Sequence, residues 1–144
     1  MNYRLNEFRF DLPTDQVRDT SINILRFETL GTSLVVSRSL LNEGETLQSN
    51  FDDQIQRLRQ QVLDLRLHTP QPVKLGADGK LEGIELQSQF TKGKEKVYQY
   101  QLALLLPGSR KMLALSYVKP QPLGEEEAAH WAALKQSLDF DNLG

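Results

Sequence analysis

The chain has 144 residues, 39% apolar and 25% charged, with a formal net charge of −2 and no cysteine. Such a composition fits one globular domain over residues 1–144 with room for a real core. It gives no electrostatic basis for binding nucleic acid, and the lack of cysteine excludes disulfides, thiolate catalysis and Cys–zinc sites. No apolar run approaches the ~18 residues that a membrane span needs. The opening MNYRLNEFRF is charged and alternating, without the apolar stretch of a signal peptide. The expectation is a cytoplasmic protein with no direct membrane insertion.

Residues 3–5 and 8–12 alternate with a change of parity across Asn6-Glu7, which predicts two short strands around a turn or bulge. Residues 14–20 are polar and read as loop. Residues 21–28 form the next strand, with Ile22 and Ile24 on one face and Leu25 and Phe27 on the other. Gly31 turns the chain into a strand over 32–39, where Leu34 and Val36 oppose Val35. After a polar turn at 42–45, Leu47, Phe51, Ile55, Leu58, Val62 and Leu65 recur at steps of three and four. That spacing predicts a helix over 47–67. Leu63 and Leu67 fall off its stripe, so its C-terminal end is expected to touch something besides the main core. Pro70 and Pro72 end it. Short strands are expected at 73–75 and 81–90, the latter with Ile84, Leu86 and Phe90 opposite Glu85, Gln87 and Gln89. Lys92–Lys96 forms a charged hairpin turn, residues 112–118 a last strand and residues 125–138 a final helix. The stripe of that helix is Ala128, Trp131, Leu134 and Leu138, and three leading glutamates suit its N-terminus. The last six residues are expected to fray. The order predicts an α+β domain with a mainly antiparallel sheet.

Residues 97–106, VYQYQLALLL, stand at the centre of this pattern. One face carries Tyr98, Tyr100, Leu102, Leu104 and Leu106. The other carries Val97, Gln99, Gln101, Ala103 and Leu105. Apolar residues on both faces predict that both are covered. The Tyr/Leu face suits a permanent helix layer. The second face is apolar but holds two amides, and a buried amide without partners costs about 1–3 kcal/mol. It suits either a mostly apolar partner offering a few polar groups, or an ordinary strand whose glutamines meet solvent or neighbouring strands.

Signs of catalysis are sparse. The two histidines are His68, in a proline-containing loop, and His130, beside Trp131. No helical His pair, ligand-spaced carboxylate cluster or nucleophile elbow is visible. The expectation is no enzyme, no cofactor and no metal, with a small-ligand pocket beside His68 as the minor alternative. Lys92–Lys96, Arg57 and Arg59 offer charged edges that an assembly factor of the same fold would use.

Tyr3-Arg4-Leu5-Asn6-Glu7, Leu12-Pro13 and Asp19-Thr20-Ser21-Ile22-Asn23-Ile24 together resemble the Eag chaperones of type VI secretion. So do Val35-Val36-Ser37-Arg38, the helix near Phe51 and the central strand. These chaperones are of the DcrB-like group with a Mog/PsbP-like fold. The resemblance implies a curved sheet with a long helix after the third strand region and a short C-terminal helix. It implies a cytoplasmic homodimer that shields the N-terminal transmembrane helices of a PAAR-containing effector and helps load it onto the secretion spike. Those helices would lie on the concave face of the sheet. The family's binding positions match Ile22, Ile24, Val97 and Gln101, and one near the end of the long helix falls at Val62 or Leu63. A further glutamine on that helix has no clear match, since Leu58 or Arg59 occupies the region. Gln99 and Ala103 share the face of Val97 and Gln101, so the implied effector-binding set is Ile22, Ile24, Leu63, Val97, Gln99, Gln101 and Ala103.

Overall fold

The computed structural model describes residues 22–76, 79, 81–106 and 109–138. The strands read at 3–5 and 8–12, the loop at 14–20 and the last six residues lie outside these. In chain order the elements are β1 (Ile22–Phe27), β2 (Thr32–Leu40), α1 (Leu47–Gln61), β3 (Leu63–Leu67) and β4 (Gln71–Leu75). Then come β5 (Leu81–Lys92), β6 (Glu95–Leu105), β7 (Lys111–Lys119) and α2 (Glu125–Ser137). The strands make one sheet in the order β1-β2-β7-β6-β5-β3, with β4 also on β5, and every pairing is antiparallel. The architecture is α+β, as the order of elements predicts.

Local chemistry explains most boundaries. Thr46 caps α1: its Oγ1 accepts from the Ser49 N–H at 3.0 Å, and Ser49 Oγ accepts from the Thr46 N–H at 2.9 Å. That reciprocal pair satisfies two of the donors a helix start leaves over. The β5–β6 hairpin turns at Gly93, whose φ of +64° is a conformation that side chains disfavour.

One expected helix is too long. The chain leaves helical geometry at Val62 (φ −129°, ψ 165°), and residues 63–67 pair with β5. Val62 and Leu65 match a helical period, but Leu63, Leu65 and Leu67 also match period two. Pairing with the free edge of β5 satisfies backbone groups and wins. The join costs one irregularity, a register shift after Leu63 with Asp64 at φ +55°.

Because paired residues share a face, the ladders sort the sheet into two. One face carries Leu34, Leu102, Leu104, Leu115 and Tyr117, which form a core cluster with Leu75 and Trp131 of α2. Trp131 lies nearly parallel to the cross-strand pair Tyr100 and Tyr117, at centroid distances of 5.6 and 6.3 Å. Such contacts contribute about 0.5–1.5 kcal/mol each beyond area burial. Its indole N–H donates to Glu85 Oε2 at 3.2 Å, and Lys135 Nζ donates to the same oxygen at 2.6 Å. At the other end of α2, Glu127 accepts from the Gly124 N–H and pairs with Lys119 on β7. The stripe read for α2 thus needs one amendment: Ala128 is exposed and Glu127 is buried in its place. A helix turn that must reach both its own N-cap and a lysine on the sheet points its carboxylate inward.

Gly83 shows how tightly this side is packed. A Cβ there would lie 2.8 Å from the Ala103 carbonyl oxygen and 3.1 Å from Leu75 Cδ1. A backbone carbonyl in a ladder cannot move aside. Gly83→Ala should therefore lower stability by about 1–3 kcal/mol in chemical denaturation. The hydrogen bond and ion pair with Lys119 hold the Glu127 carboxyl below its usual range, and the same bond raises Lys119. The pair's contribution is present between the ordinary carboxylate and ordinary lysine pKa values. It is lost as pH falls through the lowered Glu127 value or rises through the raised Lys119 value. Glu127→Gln should lower Tm at neutral pH and flatten the acid limb of a Tm-against-pH curve.

Candidate functional site

The opposite face is built differently. Registers across the sheet define three rows running from β1 to β5. The first is Ile22, Ser37, Ala114, Ala103 and Ile84. The second is Ile24, Val35, Ser116, Gln101 and Leu86. The third is Arg26, Ser33, Val118, Gln99 and Ser88. Helix α1 lies over the β5/β6 end, packing Phe51 and Ile55 against Ile84, Leu86 and Ala103, with Leu47 and Leu67 beside them. At the other end Ile22 and Ile24 are 62% and 54% exposed. Between them Ser33, Val35, Ser37, Ala114, Ser116 and Val118 are half-buried. The result is a floor of small, uncharged side chains with isoleucines along one margin and α1 along the other.

The structure brings together some of the residues singled out in the sequence and separates others. Ile22, Ile24 and Gln101 belong to the rows above, and Ile24 shares a row with Gln101 three strands away, about 14 Å at ordinary strand spacing. Val97 is half-buried at the hairpin end of the same face. Ala103 is on this face but only 1% exposed, sealed under α1. Gln99 is 6% exposed and donates from Nε2 to Ser88 Oγ at 3.2 Å, so it meets a neighbouring strand. Leu63 is 67% exposed but lies on β3, at the sheet edge opposite β1, and pairs with Thr91 in the register of the other face.

Gln101 differs from Gln99: its Oε1 is buried and has no hydrogen-bond partner. An unpaired buried acceptor at the border between covered and uncovered sheet is a standing cost. Of the floor, Ser33, Ala114, Ser116 and Val118, and with them the amides Asn50 and Gln54 of α1, were not singled out in the sequence, whereas Val35 and Ser37 were. Gln54 Nε2 donates to Asn50 Oδ1 at 2.7 Å, and both residues are half-buried beside the apolar stripe of α1. The floor did leave a signal. Ser33, Val35, Ser37 and Ser39 alternate along β2, and Ala114, Ser116 and Val118 along β7, every one small and uncharged.

The other face holds a cavity of about 310 Å³ beside His68, lined also by Glu85, Gln87, Tyr100, Trp131 and Lys135. The Glu85 oxygen there is already engaged by Trp131 and Lys135. Burial, with the Glu127 and Glu85 charges, raises the Tyr100 hydroxyl above its usual pKa and keeps it protonated. These groups hold α2 in place. Among the described residues no three His, Cys, Asp or Glu side chains group as metal ligands, and no helix is long and apolar enough to cross a membrane.

The DcrB family model matches residues 7–137. Among solved structures, the chain is similar to PA94 from Pseudomonas aeruginosa, a protein of unknown function described as a candidate regulator. The TM-score is 0.71 at 20% identity, over 95% of this chain and 94% of that one. That likeness shows the shared fold. No curated protein matches the chain.

Replacing Gln101 tests whether its acceptor is a structural liability. Gln101→Met keeps the length and removes the orphan oxygen, and should leave stability equal or raise it by about 1 kcal/mol in chemical denaturation.

Proposed function

The chain belongs to the DcrB family, and from that premise we propose that it is a chaperone for apolar helices. Its clients are the N-terminal transmembrane helices of a PAAR-containing type VI secretion effector, which it shields and helps load onto the spike. It acts in the cytoplasm as a homodimer. The observation that carries the reading is the composition of the α1 side of the sheet: exposed Ile22 and Ile24 margin an uncharged floor of small residues.

The physics of the client supports the match. A membrane helix satisfies its backbone internally and exposes apolar side chains, with Ser, Thr, Ala or Gly where helices approach closely. Left in water, that surface costs about 25 cal/mol per Å². A floor of Ser, Ala and Val lets a helix come close to the sheet, and the isoleucines add apolar contact. Rotation of the Gln101 side chain brings its buried, unpaired oxygen to a client hydroxyl, which ends its own unsatisfied state. Gln99, already bonded to Ser88, and Ala103, under α1, support the surface from within.

Co-expression with the effector's N-terminal region, with and without its membrane helices, tests this. A soluble complex should be recovered only when the helices are present. Ile22→Asp or Ile24→Asp should cost at least about 3 kcal/mol, more than a hundredfold in affinity, since each places a charge against apolar surface. Recovery that survives deletion of the helices would overturn the proposal. Gln101→Met should weaken the complex about tenfold without loss of stability, and unchanged affinity would leave the glutamine without a role in binding.

A further inference from the structure

Helix α2 does not cover its own face evenly. Glu127 ties it to Lys119 on β7, Trp131 lies on Tyr100 of β6, and Lys135 pairs with Glu85 on β5. Just past β4, the Gly76 N–H donates to the Lys135 carbonyl at 2.9 Å. Each step to a new strand is also a step to a new row. Lys119 shares a row with Tyr98, Gln89 and Arg66, Tyr100 stands in the next row with Gln87, and Glu85 in the one after. The helix therefore crosses the sheet diagonally and leaves open the corner where β3, β5 and β6 approach the β5–β6 hairpin.

That corner holds a cavity of about 480 Å³, lined by Arg66, His68, Gln87, Gln89 and Tyr98 among others, and by no Asp or Glu. The next row toward the hairpin adds Thr91 and Lys96. Lys119 and Lys135, which α2 reaches, are paired with carboxylates. Arg66 and Lys96 are exposed and in no ion pair among the described residues. Asp64 and Glu95, the acids nearest to them in sequence, lie outside the cavity lining. In a chain of net charge −2 this is a local excess of positive charge, which suits an anionic partner.

The lining narrows the choice of anion. Small-molecule sites are mostly apolar and enclose their ligand, whereas this corner is open and carries mainly amides, hydroxyls and cations. Two cations are few for a nucleic-acid backbone. Gln87 and Gln89 are half-buried on one face of β5, about 7 Å apart, which is the two-residue repeat of an extended peptide. We propose that this corner is a docking site for a short, extended acidic segment of a protein partner, which sets a carboxylate on Arg66 and its backbone groups on Gln87 and Gln89.

The probes are capped peptides of about seven residues in which Ser alternates with Glu in one and with Gln in the other. In NMR titrations of the full chain at low salt, the Glu peptide should shift the side-chain amide signals of Gln87 and Gln89. It should bind about tenfold more tightly than the Gln peptide, the worth of one charge-assisted hydrogen bond. Arg66→Gln should remove that preference with Tm unchanged, and Arg57→Gln, at an exposed position of α1, should leave it intact. Gln87→Leu should weaken both peptides alike, by about fivefold. Equal binding of the two peptides, or signal changes confined to other parts of the sheet, would overturn the proposal. So would displacement of the Glu peptide by an equimolar amount of inorganic phosphate or of a short oligothymidylate, which would assign the corner to a different anion. The corner lies on the face opposite Ile22 and Ile24, so its failure leaves the chaperone reading untouched.

Discussion

A strand has two faces, and β6 is apolar on both. It is hydrogen-bonded on both sides, to β5 and β7, so it cannot twist out of the sheet to bury one face at the expense of the other. Each face needs its own cover. The described chain has two helices, one for each face, and they do not cover equally. Helix α2 is drawn down by Trp131 over Tyr100 and Tyr117 and pinned by Glu85 and Glu127. Helix α1 seals only the β5/β6 part of its face. The candidate site is what remains of the second face beside α1.

Side-chain size follows this division. On the α2 face the cross-strand neighbours of β7 and β6 are Leu, Tyr and Leu, large enough to fill the space under a fixed helix. On the other face the floor on β2 and β7 is made of Ser, Val and Ala, which would leave voids beneath a permanent layer. A surface of small side chains is poor as a core and suitable as a seat for a helix that arrives already formed and leaves again.

The two glutamines of β6 mark the transition between these conditions. Gln99 finds Ser88 on the next strand and becomes part of the internal structure. Gln101, one row away, has an unpartnered oxygen. The two side chains are chemically identical, and each has one serine neighbour in its row: Gln99 bonds to Ser88 on β5, whereas Gln101 faces Leu86 on β5 and makes no bond to Ser116 on β7. Leucine offers no donor.

Period-two and period-three-four patterns by themselves determined the order of the described elements other than β3, the start of α1, the hairpins, the two faces of β6 and the shared face of Ile22 and Ile24. These are local properties, set by how a backbone of given periodicity presents its side chains. The span 63–67 was legible both as helix and as strand, and only the free edge of β5 decided between them. Likewise Ala103 and Ile24 sit on one face in any reading of alternation. That Ala103 lies under α1 while Ile24 stays exposed depends on which strands α1 crosses, and so does the placement of Leu63 at the far edge. Burial is a property of neighbours brought together by long-range pairing, and no local pattern encodes which strands a helix will cover.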